Sequence, residues 1–155
     1  MICSKLSICL RVIGFLLLMP LISSVTLSKS PVSTYSITVT VKKMRNTKGY
    51  IQFQVYRNQS SFAAENPYKI YRVSKKNAEN GILTYTIPDL PAGTYGVALL
   101  DDENSNKEMD YGFLMPKEGF GFSDYYHTSW SKPVFNDFKF ELNADKKVTM
   151  IVRYV

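Results

Sequence analysis

Four polar side chains stand at a spacing that suits a hard cation. Asp102, Asn104, Asn106 and Asp110 occupy positions 1, 3, 5 and 9 of a calcium loop of the EF type, with the carbonyl of Glu108 at position 7. Calcium takes about 6 to 8 oxygen ligands, so carboxylates and amide oxygens at these intervals are chemically sensible. The fit is incomplete. Lys107 stands where such a loop has glycine, and Phe113 stands where a bidentate glutamate would close the shell. Asp101 or Glu118 would have to complete it. The competing reading is an Asx-rich turn whose side chains bond their own backbone. The expected cofactor is therefore none, with calcium as the alternative.

The same stretch is dense in rings. Tyr111, Phe120, Phe122, Tyr125 and Trp130 form the expected ligand-binding set, flanked by Phe113 and Tyr126. Aromatic rings beside polar groups make a platform for a sugar ring or a protein partner, and the same rings can instead fold back and cap one end of a sandwich. Gly119 and Gly121 permit a tight path through this run. Covalent and acid–base chemistry has less to work with. His127 is the only histidine, and a triad of Ser123, His127 and Asp124 rests on nearness in sequence alone. The carboxylate pairs Asp101 with Asp110 and Glu118 with Asp124 are the acid–base alternatives. No catalytic residue is expected.

Those residues need a scaffold, and the alternation around them supplies one. Tyr35, Ile37, Val39 and Val41 alternate with Ser36, Thr38 and Thr40, as in a strand with one buried face. Ile51, Phe53 and Val55 repeat the pattern after the turn Asn46-Thr47-Lys48-Gly49, which predicts a hairpin. Ser60 to Glu65 reads as one helical turn with a serine cap, stopped before Pro67. Tyr68–Val73, Leu83–Ile87, Tyr95–Leu99, Phe138–Leu142 and Val148–Tyr154 are further strands, with a tight turn at Leu90-Pro91-Ala92-Gly93. Asp101 to about Lys132 reads as one long irregular loop. About seven short strands without a long helical period make an all-β sandwich.

Outside the domain, residues 1–24 have the order of a secretory signal peptide. Lys5 and Arg11 precede the apolar run Val12–Met19, and Ser23 and Ser24 follow it. A flexible leader, 25–34, then joins the β-sandwich domain, 35–155. Both cysteines, Cys3 and Cys9, fall in the signal segment, so the mature chain has no disulfide and no thiol chemistry. Without Lys5 and Arg11, 17 basic residues face 13 acidic ones. The surplus sits in separate turns, Lys75 with Lys76 and Lys146 with Lys147 among them, which reads as solvated charge and not as a nucleic-acid groove. No membrane span is expected in the mature chain.

Several segments in order resemble one family. They are Val39 to Gly49, Leu90-Pro91-Ala92-Gly93-Thr94-Tyr95, Asp101-Asp102-Glu103-Asn104-Ser105-Asn106 on to Asp110, Pro116-Lys117-Glu118-Gly119-Phe120-Gly121-Phe122-Ser123, and Pro133-Val134-Phe135-Asn136-Asp137-Phe138. The chain resembles the small exported bacterial proteins grouped as domain of unknown function 2141. That resemblance implies a secreted or periplasmic location and an immunoglobulin-like or transthyretin-like sandwich, but supplies no activity. The family often has glycine where Lys107 stands. The expected function is a non-catalytic binding or structural module of the bacterial envelope, with a polysaccharide or a protein as partner. A calcium-binding module and a hydrolase using loop carboxylates are the alternatives.

Overall fold

The computed structural model describes residues 33–113 and 115–155. The signal segment and nearly all of the leader lie outside the described residues. Two sheets pack face to face. The smaller has the order β4-β1-β8, formed by β1 (Thr34–Lys42), β4 (Leu83–Pro91) and β8 (Lys146–Ile151). The larger has the order β3-β2-β5-β6, formed by β2 (Tyr50–Tyr56), β3 (Lys69–Ser74), β5 (Gly93–Asp102) and β6 (Gly119–Phe122), with β7 (Lys139–Leu142) also on β5. The domain is thus an all-β sandwich, with eight strands among the described residues where the alternation predicts about seven.

Alternation decides which side chains enter the space between the sheets. Ile37, Val39 and Val41 of β1 meet Ile51, Phe53 and Val55 of β2 and Tyr95, Val97 and Leu99 of β5 in one buried cluster. The hairpin expected from β1 and β2 does not form. β1 pairs antiparallel with β4 and parallel with β8, whereas β2 pairs with β3 and β5. The connection is an arch between sheets. Lys43 adopts a left-handed backbone, the Met44 amide donates to the Gly81 carbonyl, and Gly49 lies so close to Asp102 that a Cβ would strike its carbonyl. Period-2 patterning reports a buried face and is silent about the neighbour.

The long irregular loop also contains a strand. β6 alternates Gly119 and Gly121 with Phe120 and Phe122. A Cβ on Gly119 would run into Val152 and Tyr154, and one on Gly121 into Leu99 and the Ile151 carbonyl. The inward positions are empty because the neighbouring strand ends fill that space. β6 is then stitched to the chain just past β8 of the other sheet: Phe120 and Arg153 exchange backbone hydrogen bonds of 3.0 and 2.8 Å.

Two short helices cover one part of the outer face of the larger sheet. α1 (Gln59–Ala63) is capped by Asn58, whose side chain accepts from the Ser61 amide, and not by Ser60 as the sequence suggests. α2 (Phe135–Phe138) lays Phe135 and Phe138 over Gly96. With Tyr56, Phe62, Ala98 and Phe122 these rings form a second buried cluster. Of the aromatic run, Phe122 belongs to this cluster and Phe120 and Tyr125 pack against it, while Tyr111, Phe113, Tyr126 and Trp130 are exposed. No helix among the described residues is long and apolar enough to cross a membrane.

Candidate functional site

The outer face of β2, β5 and β6 is the floor of a cleft of about 670 Å³. Gln54 and Tyr56, Ala98 and Leu100, and Phe120 and Phe122 all point this way, because they hold alternate positions on paired strands. The helical cover with Phe62 forms one wall, and Lys107, Glu108, Met109, Tyr111, Met115 and Pro116 form another. Trp130 and Tyr111 stand at the rim, 80% and 64% exposed. Four of the five expected ligand-binding residues thus meet in one place. Tyr125 is the exception: it is half-buried beside the second cluster, and its hydroxyl contacts His127 Nδ1 at 3.4 Å.

Polar groups in the cleft are held, not loose. The Tyr56 hydroxyl donates to Gln54 Oε1 at 2.7 Å, and burial pushes its pKa up to about 12. Arg153 donates to the carbonyls of His127 and Ser129 while lying over the Phe120 ring. Lys132 pairs with Glu65 at 2.8 Å over the Phe62 ring. These bonds fix the loop that carries Trp130 against the sheet.

The residues expected at a metal are placed differently. Asp102 is a strand residue, fully buried, whose Oδ2 accepts from Arg72 at 2.6 Å and from the Lys107 amide at 3.1 Å. Its Oδ1 and the Arg72 Nε are both buried without a partner among the described residues, one open prong on each side of a single fork. Asn104, Asn106 and Asp110 do come together. Each asparagine oxygen accepts the amide two residues on, at Asn106 and at Glu108. That fixes the side-chain orientation and turns both NH₂ groups onto the Asp110 carboxylate, at 2.5 and 3.1 Å. The loop so arranged is the Asx-rich turn, and it offers Asp110 donors on the side where a cation would need oxygens. Among the described residues no group of three or more His, Asp or Glu side chains converges.

The triad residues are engaged separately. Ser123 is buried, donating to the Phe138 carbonyl at 2.7 Å and accepting from the Val97 amide. His127 Nε2 donates to the Ser131 carbonyl at 2.6 Å. Asp124 accepts from the Thr149 amide at 2.7 Å. Glu118 is also held by backbone, accepting from the Glu103 amide at 2.9 Å, and burial raises its carboxyl above the ordinary range.

At the edge of the core lies a cluster that the sequence does not announce. Lys75, expected in a solvated turn, has no exposed surface. Its Nζ contacts Asp101 Oδ1, and Asp101 is equally buried. Tyr154 donates to Asp101 Oδ2 at 2.5 Å, and Asn46 Oδ1 accepts from Lys75 at 3.2 Å. Glu103 holds the Asn46 amide and is itself held by Arg45 through two bonds, of 2.6 and 2.9 Å. Burial raises the Asp101 carboxyl, opposed by the Lys75 and Tyr154 hydrogen bonds. The Arg45 guanidinium draws Glu103 down. Lys75 has no acidic neighbour in sequence, so nothing local marks it as a core residue.

Residues 39–150 match the model of a family described as uncharacterized protein conserved in bacteria. No curated protein and no solved structure matches the chain.

Proposed function

The chain belongs to the DUF2141 family of uncharacterized bacterial proteins, and we propose that it is an exported, non-catalytic module that binds a glycan segment in the cleft on the outer face of its larger sheet. The single observation behind this reading is the meeting of Tyr111, Phe120, Phe122 and Trp130 around about 670 Å³ of cleft. A volume of roughly 300 to 1,000 Å³ suits a small ligand. A stable protein partner would instead cover some 800 Å² on each side. Sugar rings present an apolar face to an aromatic and hydroxyls to groups such as Gln54, Ser129 and Ser131, which line the same cleft. The order of basic, apolar and small residues in the signal segment 1–24 supports export to the periplasm or beyond. The non-catalytic reading is supported by the separate structural bonds that occupy Ser123, His127, Asp124 and Glu118.

Trp130 is the only tryptophan, so the rim carries its own reporter. Titration of the purified protein with oligosaccharides from bacterial envelope polymers should shift or quench its emission saturably. Trp130→Ala should remove binding measured by calorimetry and leave the melting temperature unchanged. A panel that leaves emission flat while a protein is captured through the same cleft would replace the glycan with a polypeptide ligand.

A further inference from the structure

We propose that Lys75 and Asp101 become joined by an amide bond that the folded chain forms on itself. The geometry is that of a reaction site closed to solvent. Both side chains are fully buried, with the Lys75 amine against the Asp101 carboxyl group. Each is restrained from a second direction. Asn46 Oδ1 accepts from Nζ, and Tyr154 donates its hydroxyl to Oδ2 at 2.5 Å. Glu103 bonds the Asn46 NH₂ at 2.9 Å, which keeps the amide oxygen turned toward the lysine. The Tyr154 hydroxyl is in turn fixed by accepting from the Arg45 amide.

The step balances without a co-reactant. A proton passes from Nζ to Oδ1, leaving a neutral amine facing a carboxylic acid. The nitrogen lone pair adds to Cγ while the Tyr154 hydroxyl supports the charge that develops on Oδ2, as preorganised donors do in acyl transfer. Nζ then gives a second proton to Oδ1, the Cγ–Oδ1 bond breaks, and one water leaves. The product is a secondary amide whose nitrogen keeps one hydrogen. Holding two reacting groups in contact removes most of the entropic barrier to such a condensation. Burial also favours the product, because two desolvated charges, each costly in the interior, give way to one neutral group. The bond ties the end of β3 to the end of β5 across β2, closing a loop between residues 26 apart.

The test is the mass of the full chain, purified, with its amino terminus established and measured under denaturing conditions. One water less than the sequence is expected, together with a protease-resistant link at Lys75. Fragmentation should show the peptide containing Lys75 attached to the one containing Asp101. Lys75→Met and Asp101→Ala should each restore the full mass, and Tyr154→Phe should slow the loss of water after refolding. Peptide mapping of the unaltered chain decides the matter even where those variants do not fold. The full sequence mass, a water lost elsewhere, or a loss of ammonia with the link at Asn46 would each overturn the assignment.

Discussion

Gly96 offers the sharpest check on how the floor of the cleft is supported. It lies on β5, beneath α2, and its backbone is not in the left-handed region, so alanine itself meets no conformational penalty there. Space is the obstacle. A Cβ would stand 2.6 Å from Phe138 Cε2 and 2.8 Å from Phe135 Cε2. Carbon atoms prefer about 3.5 to 4.0 Å, so each ring would have to retreat by roughly 1 Å. Neither can do so freely. Phe138 has Phe62 at 4.9 Å and Phe122 at 5.0 Å between ring centres, and Phe135 lies 5.6 Å from Phe138. Overpacking of this kind costs about 1–3 kcal/mol. For a domain of this size each kcal/mol is worth roughly 4 °C, so Gly96→Ala should melt about 4 to 12 °C below the parent. Thermal unfolding followed by circular dichroism measures it, with Gly112→Ala as control, since a Cβ there meets nothing nearer than 3.6 Å. Because Phe122 also lines the cleft, ligand affinity should fall with stability. If Gly96→Ala melts with the parent, the two phenylalanines do not rest on β5 and the helical wall is misplaced.

Other expectations follow from the polar groups. Calcium in millimolar excess over chelator should leave the melting temperature unchanged, because both asparagine NH₂ groups face Asp110. A rise of several degrees, lost in Asp110→Ala, would show that the loop rearranges around an ion. Glu103 is lowered in the folded state, so its contribution is present above the ordinary carboxylate value and is lost as pH falls through the lower one. Glu103→Gln should therefore flatten the acid limb of stability against pH, and an unchanged slope would remove Arg45–Glu103 from the account. Glu118 works in the opposite sense: its raised carboxyl makes folding less favourable as pH rises past the ordinary value. Trp130→Ala should stay within about 0.5 kcal/mol of the parent in stability, as exposed sites usually do.

What could be read in advance depended on whether the cause was local. β1, β3, β4 and β8 declare themselves because each carries several β-branched or aromatic residues at period two. β6 has the same period but spends its inward positions on glycine, so the apolar alternation reads as a loop. The four-residue α2 is too short for a helical period to register. The aromatic residues of the cleft were legible as a group, since one segment supplies most of them. Their direction was not, because it depends on β6 pairing with β5 and on Arg153 holding the loop. The four oxygen-bearing residues around Asp102 illustrate the limit of spacing. Asp102 belongs to a strand and faces Arg72, so it left the loop that its sequence position suggested. Lys75 and Asp101 show the same limit more sharply, each being ordinary in its own neighbourhood and held in the interior by the other and by distant partners, Asn46 and Tyr154.

The parallel pairing of β1 with β8 also governs when the domain can exist. Ile37 lies opposite Lys146 and Lys42 opposite Ile151, so the centre of the smaller sheet waits for the last strand to be made. A ribosome delivers β1 first and its neighbour β8 about a hundred residues later. In the interval β1 has only β4 beside it, and two strands alone are marginal in water. Closing so distant a pair is slow by its topology, because loop entropy is spent before the contacts form. Until then the edge of β1 that pairs with β8, from Ile37 to Lys42, keeps its backbone groups unpaired, although Val39 and Val41 can already rest on the larger sheet. The smaller sheet is therefore completed only when β8 reaches β1.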